Sequence, residues 1–223
     1  MLKNDYKNIG LFLILAIILL LNPKSLHANP LAPESNIEWD ENGTRYQLIL
    51  STQGSNNWIF LPGGAGADSC YFLDLINFLQ LPGKSWVIDF PSNGSNIKDG
   101  QESYQFDEWD KCLLNVISKF EKPILIGHSF GGMFPFLFPE LENLLKGFIS
   151  IGTAPKIDPE ENQKMINARN IIFSTAARDE FNKNPNNETF KKALLERSAC
   201  HFPPSTLEKG KHFFETLLLV IMQ

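Results

Sequence analysis

The stretch from Pro123 to Phe138, PILIGHSFGGMFPFLF, constrains the chain more than any other. Pro123–Gly127 is a short apolar run that reads as a buried strand, and Gly131–Phe138 reads as a helix; only His128, Ser129 and Phe130 separate them. A serine in so tight a strand-to-helix turn takes a sparsely populated backbone conformation, which lifts its hydroxyl above the sheet. Glycines flank it because a Cβ there would collide with the turn or with the helix behind it. A buried strand that feeds straight into a helix is half of a βαβ unit, so the stretch demands a parallel sheet with helices on its faces.

The chain between residues 45 and 151 repeats that alternation. Arg45–Ser51 alternates in polarity and reads as a strand, and Asn57–Leu61 is an apolar run that stops at the glycine-rich loop Pro62-Gly63-Gly64-Ala65-Gly66. Within 69–81 the residues Phe72, Leu75, Ile76 and Leu79 recur at helical spacing, and Lys84–Phe90 is a further strand. Trp109, Leu113, Val116, Ile117 and Phe120 line one face of a helix expected over 106–120, and Gly147–Ile151 closes the series as a strand. The expected fold class is α/β, a mostly parallel sheet flanked by helices, with its core over residues 29–154. Such sheets hold their chemistry at the carboxyl ends of the strands, where both glycine-rich turns fall.

Ile9–Leu21 is an apolar run of 13 residues, preceded by Lys3 and Lys7 and followed by a short segment ending in Ala28. It is short for a membrane-spanning helix and has the layout of a secretory signal peptide over residues 1–28, so the protein is expected to be exported, to the periplasm or the medium. The alternative is an uncleaved N-terminal segment that anchors it to the membrane through residues 9–21. A formal charge of −5 without a long basic run argues against nucleic acid as a partner. Three cysteines, Cys70, Cys112 and Cys200, are too few and too spread for a disulfide scaffold or a cysteine zinc site. No cluster of His, Asp and Glu has metal-ligand spacing, so neither a metal nor a cofactor is called for.

The Gly127-His128-Ser129-Phe130-Gly131 turn, taken with Phe60-Leu-Pro-Gly-Gly-Ala-Gly66 upstream, resembles the α/β-hydrolase superfamily. In particular it looks like the prolyl-aminopeptidase-type branch, whose loop reads H-G-G-P-G; Pro62 stands where that branch has histidine and Ala65 where it has proline. The likeness covers roughly residues 45 to 155. It implies a serine hydrolase with Ser129 as nucleophile and the backbone N–H groups of Gly64 and Phe130 as an oxyanion hole. The substrate would be a small-molecule ester or a small-peptide amide, cleaved through an acyl-serine intermediate.

The superfamily order Ser, Asp/Glu, His then requires an acid and a histidine after Ser129. Two readings stand. In one, residues 170–179 form a core strand with Asp179 as the acid at its end, and His201 is the base. In the other, residues 155–216 are a helical cap-like segment after the 147–151 strand; helix formers over 188–199, with Phe190, Ala193, Leu194 and Leu195 on one face, favour it. The acid and histidine strands would then be missing and residues 217–223 would be an aberrant or truncated C-terminus, which admits a non-catalytic remnant as the alternative function.

Overall fold

The computed structural model describes residues 36–64, 67–96, 108–153, 158–172, 174–184 and 186–216. The expected signal segment over 1–28, with the apolar run 9–21, and the C-terminal residues 217–223 lie outside the described residues. Among the described residues, no helix is long and apolar enough to cross a membrane. The chain divides into two compact units, one within residues 30–156 and one within 157–217.

The first unit is built on a six-stranded sheet: β1 (Ile37–Trp39), β2 (Arg45–Ser51), β3 (Asn57–Leu61), β4 (Lys84–Asp89), β5 (Ile124–His128) and β6 (Gly147–Ile151), in the order β1-β2-β4-β3-β5-β6. β4, β3, β5 and β6 run parallel to one another, while β2 pairs antiparallel with both β1 and β4. The sheet is therefore mixed, and β1 is a strand that the sequence pattern does not announce. Successive side chains of a strand point to opposite faces, and the apolar residues divide accordingly. Ile59, Leu61, Trp86, Ile88 and Leu125 join Leu113, Val116 and Ile117 of α2 (Trp109–Ser118) in one core. Phe60, Val87 and Ile126 join Leu75 and Ile76 of α1 (Leu73–Leu79) in the other. Burial on both faces explains why β3, β4 and β5 read as near-continuous apolar runs.

At the carboxyl end of β4, Asp89 is fully buried and ion-paired to Arg45 of β2 (Nη1 to Oδ2, 3.2 Å). The same carboxyl accepts the Ser69 N–H at Oδ1 and the Ser69 hydroxyl at Oδ2, both at 2.8 Å, which fixes the chain just after the Pro62–Gly66 turn. Its backbone carbonyl takes Asn96 Nδ2 at 3.1 Å.

The second unit consists of helices: α5 (Pro159–Ala168), α6 (Ala176–Lys183), α7 (Asn187–Glu196), α8 (Ser198–His201) and α9 (Leu207–Thr216); the short α3 (Phe130–Met133) and α4 (Leu141–Leu144) belong to the first. α7 matches the helix expected over 188–199 and opens on a capping box, in which the Asn186 side chain accepts the Thr189 N–H at 3.0 Å and Thr189 Oγ1 accepts the Asn186 N–H at 3.1 Å. The strand over 170–179 is not formed. Ile172 is 96% exposed, so no core exists there to hold a strand, and Ala176-Ala-Arg-Asp-Glu continues as helix α6 with Asp179 in its first turn.

Burial, and after it the neighbouring Asp68, raises the Asp89 carboxyl from its ordinary 3.8 to about 7, against the pull of Ser69 and Arg45. Between those values the folded chain holds a proton that the unfolded chain has lost, so this group's contribution to stability is full below pH 3.8 and is lost as pH rises toward 7. Urea denaturation at pH 4, 5, 6 and 7 will show Asp89→Asn with a flatter pH dependence than the parent over that window; equal slopes would contradict it.

Candidate active site

Strand β5 ends in a turn whose backbone is unusual at one residue. Ser129 sits at φ 52° and ψ −116°, outside the regions that L-residues ordinarily occupy, at a cost of about 1–3 kcal/mol. Its surroundings hold it there: the Ser129 N–H donates to Ile151 O of β6 at 2.9 Å, and Ser129 O accepts from Gly132 N–H at 3.0 Å and Met133 N–H at 3.1 Å. The glycines around it are sterically required. A Cβ on Gly127 would overlap the Gly131 backbone, and one on Gly131 would overlap the carbonyls of Leu61 and Pro62. A Cβ on Gly63 would lie 2.8 Å from Ser129 Cβ and 2.9 Å from His128 Nδ1. The turn after β3 and the turn after β5 are thus in backbone contact, and the parallel pairing of Leu61 with Gly127 sets their relative height.

Gly64, at φ 61°, follows that contact directly. Phe130 opens α3 directly after Ser129. The structure therefore brings Ser129 and Phe130 beside the turn that carries Gly64. Leu61, Pro62, Ala67, Phe90, Trp109 and Phe130 make the apolar lining of a narrow cleft here, with Asn93 as its polar side chain. The Phe130 ring packs edge-on against Trp109 (5.8 Å) and stacks on Phe134 (5.3 Å).

Tyr71 ties the two turns together. Its hydroxyl accepts the Gly63 N–H at 2.5 Å and lies 3.0 Å from His128 Nδ1. The His128 ring packs edge-on against Tyr71 and Phe72, at 5.6 and 6.4 Å between centroids. Burial lifts the Tyr71 pKa well above its ordinary value, so the hydroxyl keeps its proton at working pH. No local pattern marks Tyr71: its partner His128 lies 57 residues away, and only the tertiary fold joins them.

Asp179 and His201 both lie in the helical unit, and the structure does not pair them. Asp179 Oδ2 accepts the Thr175 hydroxyl at 3.1 Å within α6, whereas His201 ends α8 with its ring edge-on to Phe214 at 5.5 Å. Desolvation, then the positive charges of Arg197 and Arg169, lower the His201 pKa below the ordinary 6.5. Cys70, Cys112 and Cys200 are unbridged, and among the described residues no three His, Cys, Asp or Glu side chains converge as metal ligands.

No protein-family model and no curated protein matches the sequence. The fold does match solved structures. A carboxylesterase of the ammonia-oxidizing thaumarchaeon Nitrososphaera gargenis is 12% identical, with a TM-score of 0.51 over 79% of this chain and 65% of that one. A hydrolase from Pseudomonas aeruginosa is 14% identical, with a TM-score of 0.51 over 85% and 65%. MenH from S. aureus is 20% identical over 77% and 65%, with a TM-score of 0.47. The chain thus spans 65% of the length of each of these structures. Likeness at this level shows the fold: the chain has the α/β-hydrolase fold.

Two substitutions separate contact from composition. Gly131→Ala, which must push a methyl into the Leu61 and Pro62 carbonyls, will cost about 2 kcal/mol or more by chemical denaturation. Gly147→Ala, where nothing lies within 4 Å, will stay within about 0.5 kcal/mol of the parent. Tyr71→Phe removes a hydrogen bond worth about 1 kcal/mol. It will speed amide exchange at Gly63 about fivefold while leaving the β3–β5 ladder unchanged; equal exchange at Gly63 would show that the hydroxyl does not hold the turn.

Proposed function

We propose that this chain is a serine hydrolase that cleaves a small-molecule ester through an acyl-enzyme on Ser129. The observation that carries the reading is the φ 52°, ψ −116° conformation of Ser129, between β5 and the helix behind it and in backbone contact with the glycine turn after β3. In the proposed step Ser129 Oγ attacks the carbonyl carbon while a base takes its proton. The oxyanion is met by the N–H groups of Gly64 and Phe130, each such donor being worth about 3–4 kcal/mol. Collapse then breaks the carbonyl–oxygen bond, the alcohol leaves with the proton, and water releases the acid from Ser129 in a second addition and collapse. An ester is favoured over a peptide amide because Pro62 and Ala65 depart from the aminopeptidase-like loop and the cleft lining is mainly apolar. The carboxylesterase identity of the Nitrososphaera relative is in keeping with that choice. We place the activity outside the cytoplasm on the layout of residues 1–28.

His201 is poorly suited to be the base. A serine-activating imidazole becomes a cation that a carboxylate must stabilise, and the charges that shift His201 are the two guanidinium groups of Arg197 and Arg169. A fluorophosphonate probe tests both points. Labelling of the folded chain, lost in Ser129→Ala, is the expected result, and no labelling of correctly folded protein would overturn the hydrolase reading. His201→Ala is expected to leave the labelling rate unchanged; its loss would make His201 the base.

A further inference from the structure

The turn after β4 carries an acceptor with nothing to accept. Asn93 is 4% exposed, and its amide is held by the nitrogen end: Nδ2 donates to Pro91 O at 3.0 Å, which fixes the oxygen on the other side. That oxygen, Oδ1, is buried and has no hydrogen-bond partner among the described residues. The backbone is not free to swing it out to water. Asn93 N–H donates to Phe90 O at 3.0 Å, and Asn93 O accepts the Asn96 N–H at 2.8 Å. Gly94, next in the chain, is seated so closely that a Cβ on it would lie 2.6 Å from Asp68 Cα. A buried acceptor without a donor is unfavourable, and a ligand group or an enclosed water is what completes one.

Asn93 also lines the narrow cleft that Gly64 and Phe130 border, whose free volume is about 10 Å³, room for about one water-sized group. No charged side chain is among the described residues that line it, so an ammonium would enter without a counter-charge. The smallest neutral group that fills such a space and donates a hydrogen bond is a hydroxyl. We infer that Asn93 is a specificity-determining residue whose Oδ1 accepts a hydrogen bond from a hydroxyl of the substrate, so that the ester taken is a hydroxy ester. A site with an acceptor for a substrate hydroxyl rejects the isostere that lacks it, because the acceptor is then left buried and unpaired. The placing of the ester carbonyl beside Gly64 and Phe130 rests on the hydrolase reading, whereas the hydrogen bond at Asn93 does not need Ser129 to react.

The test uses two pairs of esters in which a methyl replaces the hydroxyl. Ethyl glycolate with ethyl propionate carries the difference on the acyl part, and 2-hydroxyethyl acetate with propyl acetate carries it on the alcohol part. Binding to the full-length Ser129→Ala chain is followed by NMR, and hydrolysis by the parent in a pH-stat. In one pair the hydroxy ester is expected to bind about tenfold more tightly than its methyl counterpart, with a shift of the Asn93 side-chain amide resonances. That pair tells which part of the ester bears the hydroxyl, and the parent should show the same preference in kcat/KM. Asn93→Leu, close in volume but without the acceptor, should bring the ratio within that pair to about one, with circular dichroism verifying its fold. Should that variant not fold, the preference and the amide shift in Ser129→Ala decide alone. Equal binding within both pairs, which would leave an enclosed water as the partner of Oδ1, would overturn the assignment. So would no binding of any of the four to folded protein, or a preference that folded Asn93→Leu retains. A preference in binding without hydrolysis by the parent would refute the hydrolase reading alone, and hydrolysis without a preference would refute the role of Asn93 alone.

Discussion

Two strand ends in this protein meet with no room for a side chain between them. Gly63 abuts Ser129 and His128, and Gly131 abuts the carbonyls of Leu61 and Pro62, so the turns after β3 and β5 are seated backbone on backbone. The parallel register that pairs Leu61 with Gly127 brings both strands to an end at the same level, and the last rung of the β5–β6 ladder, His128 with Ile151, holds Ser129 from the other side. A conformation as costly as that of Ser129 persists only where its surroundings over-determine it. Here three backbone hydrogen bonds and at least four close glycine contacts do so.

The turn after β3 is held from a distance as well. Arg45 on β2 pairs with Asp89 at the end of β4, Asp89 grips Ser69 through two hydrogen bonds, and two residues further on Tyr71 reaches back to the Gly63 N–H. A buried ion pair is a weak source of net stability, because desolvation offsets most of its attraction. Its value here is positional: a carboxylate with three side-chain and main-chain donors around it defines where residues 68–70 lie, and an apolar pair of equal volume would fill the space without specifying the loop. Gly94 belongs to the same arrangement, since a Cβ on it would lie 2.7 Å from Asp89 Oδ1 and 2.6 Å from Asp68 Cα.

What could be read from the residues follows from the range of the interactions. β3, β4 and β5 announce themselves because both faces of the sheet are buried, and the Ser129 turn does so because glycine requirements fall within five consecutive residues. β1 is three residues long with two exposed side chains, too little for a pattern. The Tyr71–His128 link and the Asp89–Ser69 grip join residues 57 and 20 apart, and no local spacing encodes them. Residues 170–179 admit two readings for the opposite reason: Ile171 and Ile172 look like a strand, but Ile172 has no core to enter, and the alanines and charged residues that follow form the helix of the other reading.

The site is therefore of two kinds of material. On the proposed reading its oxyanion-facing part would be main chain, the amides of residues 64 and 130, which any substitution but proline leaves in place and which a Cβ at Gly63 or Gly131, or loss of the Tyr71 tie, would displace. A proton acceptor, by contrast, is a side chain and must be placed and charged correctly by its neighbours. His128, adjacent to Ser129, has its Nδ1 at the Tyr71 hydroxyl, and His201 has its imidazolium disfavoured first by burial and then by two arginines. Packing can thus preserve the Ser129 turn and the glycine turn beside it whatever side chain would act as base. On the proposed reading the elbow would present Ser129 for acyl chemistry, and the rate of that chemistry would rest on electrostatics that the elbow does not supply.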